Sequence, residues 1–363
     1  MLTSVFITLR WGNVKVYGGQ PSTLFAFSAI LFTSGLDVGL IMFPLTEFPL
    51  YEADASLSFT NPLAIEFGLW GFLVWGFYFL TTFYFAAVEP KLKLFEIPAI
   101  RVVNNFVIIA TCAFTGFLFL SYLPSYVEGI GNIAKYALVA GVVLCAVLSS
   151  SDIKYVKILS IASTWLFFAL IVGMWWVSDM GFAGIADSAD LIGGYFKNID
   201  HFVLPINDGH EFYLFWWFAW SIMIGQFVSR FLGGLKIWQL LFALLILPSI
   251  PIAAWFSVLY YYHSTAIELS AAIKFAMIAV GVVFVINSLD SLIRLYTTNL
   301  RVTADQLGKG TYIICNWLAM MGLILLYQFT PFKMEWVGLI VIGIYVCVYY
   351  LIFRRKELLY TTA

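Results

Sequence analysis

Four rings at helical spacing are the first residues in this chain that could hold a ligand. Tyr213, Trp216, Trp217 and Trp220 lie in the run EFYLFWWFAWSIMIGQFVSR, residues 211–230. Spacing of i, i+3, i+4 and i+7 puts them on one stripe of a helix. Tryptophan in a membrane helix gathers at the headgroup level. A stripe that runs on toward mid-span reads instead as the wall of a binding site. The ligand that suits an indole wall is a soft organic cation, attracted by the negative ring faces. A second aromatic set, Trp70, Trp75 and Tyr78, lies among Gly68, Gly71 and Gly76, with Trp75 and Tyr78 on one face.

Two other segments place polar groups where an apolar helix would not. Thr33-Ser34-Gly35-Leu36-Asp37-Val38-Gly39 interrupts the first apolar run. Unwound backbone of this kind is tolerated in lipid where it lines a cavity and coordinates an ion or substrate. Close helix packing through Gly35 and Gly39 is the alternative, but it leaves Asp37 unexplained. Asn287-Ser288-Leu289-Asp290-Ser291 follows a strongly apolar run. Its side-chain oxygens suit a hard cation such as Na⁺; the competing reading is hydrogen bonding between helices, with Asp290 paired to Arg294 at i+4. His201, His210 and His263 are neither spaced nor placed as metal ligands. Cys112, Cys145, Cys315 and Cys347 lie in apolar stretches and read as small hydrophobes. No Walker A sequence, nucleophile elbow or HExxH is present, so neither catalysis nor ATP-driven pumping is expected.

The elements that must position these residues are membrane helices. Hydrophobic residues make up 62% of the 363, charged residues 11%, and the mean hydropathy is +0.94. A soluble domain carries about 25% charged residues. Segments long and apolar enough to span fall at about 22–46, 63–88, 102–125, 134–150, 157–178, 212–232, 238–262, 270–297, 310–329 and 336–353. Asn61-Pro62 suits the cap and first residue of the second; Pro248 and Pro251 predict a kink in the seventh. With the N-terminus in the cytoplasm, most lysines and arginines, from Arg10 and Lys15 to Arg354, Arg355 and Lys356, fall on the cytoplasmic face, as the positive-inside rule asks. Lys135, Lys197 and Lys333 are the clear exceptions. Both termini are then cytoplasmic, in a multi-pass cell-membrane protein with no nucleic-acid partner.

The longest polar stretch divides the spans five and five. An odd number per half gives the halves opposite orientation, the arithmetic of an inverted-repeat transporter. The expected fold is therefore an all-α polytopic membrane protein of about ten helices with a 5+5 inverted-repeat, LeuT-like core. No internal sequence repeat is visible, so the repeat rests on this count. The expected organisation is a cytoplasmic N-terminal segment (1–21), a first five-helix repeat (22–178), an extracytoplasmic connector (179–211), a second repeat (212–353) and a short tail (354–363). Within the connector, 189–202 is amphipathic enough to lie along the membrane interface.

At these motifs the chain resembles the betaine/choline/carnitine transporter (BCCT) family over nearly its whole length. The family's signature helix reads Trp-x-Trp-Trp-x-Ser-Trp-x-Pro-Phe-Val-Gly-Met-Phe and then an Arg. Trp216, Trp217, Trp220, Gly225, Phe227 and Arg230 fall in register, while Leu214, Ala219, Ile222, Met223 and Gln226 depart from it. Trp70, Trp75 and Tyr78 match its Trp-x4-Trp-x2-Tyr spacing. Asn287, Ser288, Asp290 and Ser291 follow its Thr-Ser-x-Asp-Ser. Gly35 to Gly39 and Glu47 follow its Gly-Met-Gly-Ile-Gly helix and later Glu, with Asp37 in place of the central Gly. The family usually has twelve spans, and this chain presents the ten of the core. The family's homotrimer uses one of the two absent helices, which leaves a trimer open here.

The resemblance implies that Trp70, Tyr78 and Trp217 box a trimethylammonium group, with Trp216 and Trp220 along the access route. A quaternary ammonium has no N–H to donate, and ring faces bind it at roughly 1–2 kcal/mol per desolvated ring. A buried Asp37 would repel the carboxylate of betaine and neutralise choline, and it could carry a proton. Asn287 in place of Thr weakens the family's sodium pattern without abolishing it. The expected activity is import of a quaternary ammonium compound, choline before glycine betaine or carnitine, by alternating access coupled to Na⁺ or H⁺. Asp37, Asn287 and Ser288 are the ion-coupling candidates, and no other cofactor is expected. The alternatives are a non-transporting sensor or an amino-acid transporter of the same core fold.

Overall fold

Backbone buried in lipid must close its hydrogen bonds within the segment, and the apolar runs do so as helices. The computed structural model describes residues 2–36 and 38–355. After α1 (Leu2–Trp11) and β1 (Lys15–Tyr17), the first half comprises α2 (Leu24–Gly35), α3 (Gly39–Met42), α4 (Pro44–Ala53), α5 (Pro62–Trp70), α6 (Leu73–Phe83), α7 (Glu89–Leu92), α8 (Pro98–Tyr126), α9 (Asn132–Ser150) and α10 (Lys154–Val177). The connector forms α11 (Gly181–Lys197). The second half comprises α12 (Asp208–Val228), β2 (Gly233–Lys236), α13 (Ile237–Leu245), α14 (Ser249–Ser264), α15 (Ala271–Leu300), α16 (Ala304–Leu307), α17 (Lys309–Phe329) and α18 (Met334–Arg354). Among the described residues nine helices are long and apolar enough to cross a membrane, and Leu24–Gly35 is a shorter apolar helix.

The first span, expected at 22–46, is interrupted. It stops at Gly35 and resumes at Gly39, within the stretch of glycines and hydroxyls that pointed to a break. The second span breaks too, between α5 and α6, which its unbroken apolar run conceals. Phe72 sits there at φ +31°, in a region that costs a non-glycine residue about 1–3 kcal/mol. The seventh breaks between Leu245 and Ser249, at Pro248, as the prolines predict. The second and seventh breaks meet: the Phe72 N–H donates to Ser249 Oγ at 3.1 Å, and that hydroxyl donates to Leu245 O at 2.6 Å.

The breaks of the second and seventh spans occupy equivalent places in two halves that pack by the same rules. α2 packs on α10 as α12 packs on α18; α8 packs on α17 as α15 packs on α9; and α8 packs on α18 as α15 packs on α10. Each relation maps onto its partner when the chain is advanced by five spans. The longest helices, α8 with 29 residues and α15 with 30, are equivalent in this mapping. The five-plus-five arrangement is thus present in the packing although no repeat shows in the residues.

Contacts between loops confirm which connections share a face. β1 pairs antiparallel with β2, Lys15 opposite Lys236, so the N-terminal segment meets the connection after α12. Arg355 reaches Leu92 O at 3.4 Å on that face. On the other, His263 pairs with Glu52 at 3.0 Å and Lys274 with Glu128 at 3.2 Å. The connector helix runs from 181 to 197, earlier and longer than the amphipathic pattern at 189–202, and a 3₁₀ turn follows at Ile199–Val203. It packs over α5 and α14. Asn61, the cap of α5, accepts from Ala64 N–H and donates to Leu191 O, both at 2.9 Å.

Gly225 sets the approach of α12 to α6. A Cβ there would lie 2.6 Å from the Thr81 carbonyl carbon, and Thr81 Oγ1 donates to Ser221 O at 2.7 Å across the same seam. Gly225→Ala is expected to cost about 1–3 kcal/mol through overpacking, read as a lower thermal midpoint in detergent. An unchanged midpoint would mean that this contact is loose.

Candidate functional site: an aromatic cluster at three broken helices

A helix that stops inside a membrane frees its last carbonyls, and these need donors. The aromatic residues supply them. Where α5 ends, Trp217 Nε1 donates to Leu69 O at 2.6 Å and Trp75 Nε1 to Trp70 O at 3.1 Å. Where α2 ends, Gly35 O accepts from Tyr78 Oη at 3.0 Å and from Trp220 Nε1 at 2.8 Å. Gly35 has no room for a side chain, since a Cβ would lie 3.1–3.2 Å from the rings of Tyr78 and Trp75.

Of the rings singled out in the sequence, Trp70, Trp216 and Trp217 come together directly. Trp216 and Trp217 stack at 4.8 Å with 9° between their planes. Trp70 stands edge-on to both, at 5.5 Å and 5.0 Å. Tyr213 lies 5.8 Å from Trp70 and from Trp216. Phe43 adds a further edge at 6.1 Å from Trp70 and stacks on Tyr122 at 3.9 Å. Tyr78 and Trp220 meet at Gly35 O, and Tyr78 packs on Trp75 at 5.0 Å. All five candidate rings are buried. A cation binds within about 6 Å of a ring centroid, so a trimethylammonium group must part Trp217 from Trp70 to lie between them.

The ion-coupling candidates divide. Ser288 Oγ donates to Leu36 O at 2.8 Å, with Thr33 O at 3.4 Å, and Ser34 and Ser291 share a hydrogen bond of 2.8 Å. Hydroxyls of α15 and carbonyls of the broken first span thus converge, as a hard cation requires. Asn287 turns to Ser160 of α10, with amide-to-hydroxyl distances of 3.4 Å. Asp290 follows the bland reading: Arg294 Nη2 donates to its Oδ1 at 2.9 Å and to Ser149 O and Asp152 O at 3.0 and 3.1 Å. Asp37 lies outside the described residues. A cleft of about 170 Å³, lined by Gln20, Phe227, Arg230, Arg294 and Thr298, opens on the face that carries the N-terminus.

Glu66 was missed by sequence reasoning. It is a carboxyl group in an apolar helix, which is by itself a functional signal, but it falls outside every motif weighed. It is fully buried, and Tyr51 ties it to Glu47.

No family model matches the chain. It is 26% identical over 301 residues to the glycine betaine transporter OpuD of Bacillus subtilis, covering 68% of this chain and 57% of that protein. It is 25% identical over 293 residues to the high-affinity choline transport protein of Escherichia coli, covering 69% and 43%. These two relatives carry the names of betaine and choline transporters. This agrees with the resemblance carried by the four motifs, and neither relative is an enzyme by its name. The chain spans about half the length of these relatives. A Na⁺-coupled sialic acid symporter, solved in a substrate-bound outward-open state, superposes with a TM-score of 0.50 over 95% of this chain and 79% of its own, at 14% identity. The chain is therefore a multi-pass membrane protein with a LeuT-like fold.

Proposed function

We propose that the protein imports a quaternary ammonium compound by alternating access, with choline favoured over glycine betaine and carnitine. One observation carries this reading. At the break of the first span, Gly35 O is held by the aromatic set and the next carbonyl, Leu36 O, by Ser288. A ring cluster suited to an organic cation and an oxygen cluster suited to Na⁺ thus act on adjacent peptide groups. Movement of that segment would be felt at both, which is the linkage a coupled carrier needs. Trp70, Tyr78 and Trp217 would contact the ammonium, Trp216 and Trp220 the approach to it, and Ser288 the coupling ion, with Asn287 tying α15 to Ser160 of α10 beside it. Both termini would face the cytoplasm.

Choline counterflow in liposomes, read beside tryptophan fluorescence, tests the reading. Exchange of labelled choline together with a fluorescence change is expected. A fluorescence change with no exchange would mean a quaternary-ammonium sensor instead.

The preference for choline rests on Asp37 in the sequence. A carboxylate next in sequence to Leu36 would attract the net charge of choline and repel the carboxylate of betaine. Asp37→Gly is expected to move the ratio of choline to betaine affinity toward betaine by about tenfold, the equivalent of ~1.4 kcal/mol. Equal changes for both substrates would remove Asp37 as the discriminator.

A further inference from the structure

Next to the aromatic cluster lies a second, partly buried group whose hydrogens can be counted. Tyr51 Oη is 2.7 Å from Glu47 Oε2 and 2.7 Å from Glu66 Oε2. A phenol has one proton to donate, so it can satisfy only one of these carboxyl groups. The other contact requires an O–H on the carboxyl side. Tyr213 Oη also lies 2.8 Å from Glu47 Oε2 and 3.0 Å from Oε1. Glu47 thus receives two phenolic donors and is the ionised member. Glu66 holds the remaining proton, which it gives to Tyr51 Oη.

The surroundings supply no cation to change this count. Tyr122 and Tyr126 of α8 lie within electrostatic reach of Glu47. From α14, Tyr260 packs on Phe48 at 5.2 Å, and His263 pairs with Glu52. At the start of α12, His210 Nδ1 accepts the Ile206 N–H at 3.2 Å, while Asp208 and Glu211 are exposed. Tyr195 of α11 packs on Phe67 at 5.3 Å. Among the described residues no lysine or arginine forms an ion pair with Glu47 or Glu66. Two adjacent carboxylates without a counter-ion cannot both stay ionised in such a place.

A second observation points from this pair to a ligand. Glu66 Oε1 and Trp70 Nε1 are buried and lack hydrogen-bond partners. Trp70 is one turn beyond Glu66 on α5, so the two side chains share one face of the helix. The indole that borders the acid pair is the same one that stands edge-on to Trp216 and Trp217.

We infer that Glu47 and Glu66 form a proton-linked site, in which Glu66 holds a proton that a cation at the Trp70 ring displaces. When the Glu66 O–H breaks, its proton passes to water and both electrons remain on the carboxylate. The pair goes from one net negative charge to two, and the bound cation offsets the added charge. Proton and cationic substrate therefore oppose one another at this end of the site. The inference rests on the quaternary-ammonium reading above.

Choline added to detergent-solubilised protein in a weakly buffered indicator dye tests it. Wild type is expected to release about one proton per bound choline, and Glu66→Gln none. The infrared carbonyl band of a protonated carboxylic acid should be present in wild-type protein without choline and reduced by one group in Glu66→Gln. Choline binding without proton release, or a carboxylic band of undiminished intensity in Glu66→Gln, would overturn the inference. Protein that binds no choline but shows the Glu66-dependent band would sink the substrate reading while leaving the shared proton in place. Size-exclusion profiles confirm that Glu66→Gln is folded.

Discussion

Leucine in place of Trp217 is expected to weaken choline binding about 30-fold. The ring contributes a desolvated π-face worth about 2 kcal/mol to a cation, and that energy corresponds to a factor of about 30 in Kd. The position of Trp217 explains why a single ring should weigh so much. Its indole lies flat on Trp216, receives the edge of Trp70 and is anchored to Leu69 O at the end of α5. Trp216 and Leu69 O hold the ring on one side, so only its contact with Trp70 must open to admit the ligand. Trp217→Phe separates the two tasks: it keeps a π-face but leaves Leu69 O without its donor. It should retain part of the affinity while lowering the thermal midpoint. Kd from intrinsic fluorescence or radioligand titration decides; an unchanged Kd in Trp217→Leu would remove this ring from the site.

The second large effect concerns Arg294. Its guanidinium donates to Asp290, to Ser149 O in the last turn of α9 and to Asp152 O just beyond it, joining two helices. Asp290 is fully buried. Arg294→Ala strands that carboxylate without a cation, and breaking one half of a buried pair costs about 3–5 kcal/mol. Replacing both residues with apolar ones of similar size, Asp290→Leu with Arg294→Met, should recover most of the loss, because neither charge is then left alone. Thermal unfolding of the two single variants and the double variant gives the coupling directly. If Arg294→Ala is as stable as the double variant, the pair is not what secures this corner.

What could be read in the residues, and what could not, follows from the range of each interaction. The Asn61-Pro62 cap and the Pro248 break are local events written in one or two residue types, and both are present. The interruption of the first span was legible because glycines, hydroxyls and a carboxylate are costly in lipid. The break at Gly71-Phe72 was not, because hydropathy runs through it without change and its support, Ser249, is far off in the chain. β1 and β2 are only a few residues each and join segments more than two hundred residues apart. The tryptophans were visible as a stripe, but their work as donors to the carbonyls of broken helices depends on where those helices stop. Glu66 stands out in its apolar helix by itself, but its tie through Tyr51 to Glu47 is a contact between two helices that no single run of residues displays.

The central claim is that a coupled carrier for quaternary ammonium compounds is built on these breaks. Its most direct test is accumulation of radiolabelled choline and glycine betaine in proteoliposomes under an imposed Na⁺ or pH gradient. The expected result is uptake above equilibration, with choline ahead of betaine, that collapses when the gradient is dissipated. Folded, correctly inserted protein that accumulates neither compound under either gradient would contradict the claim.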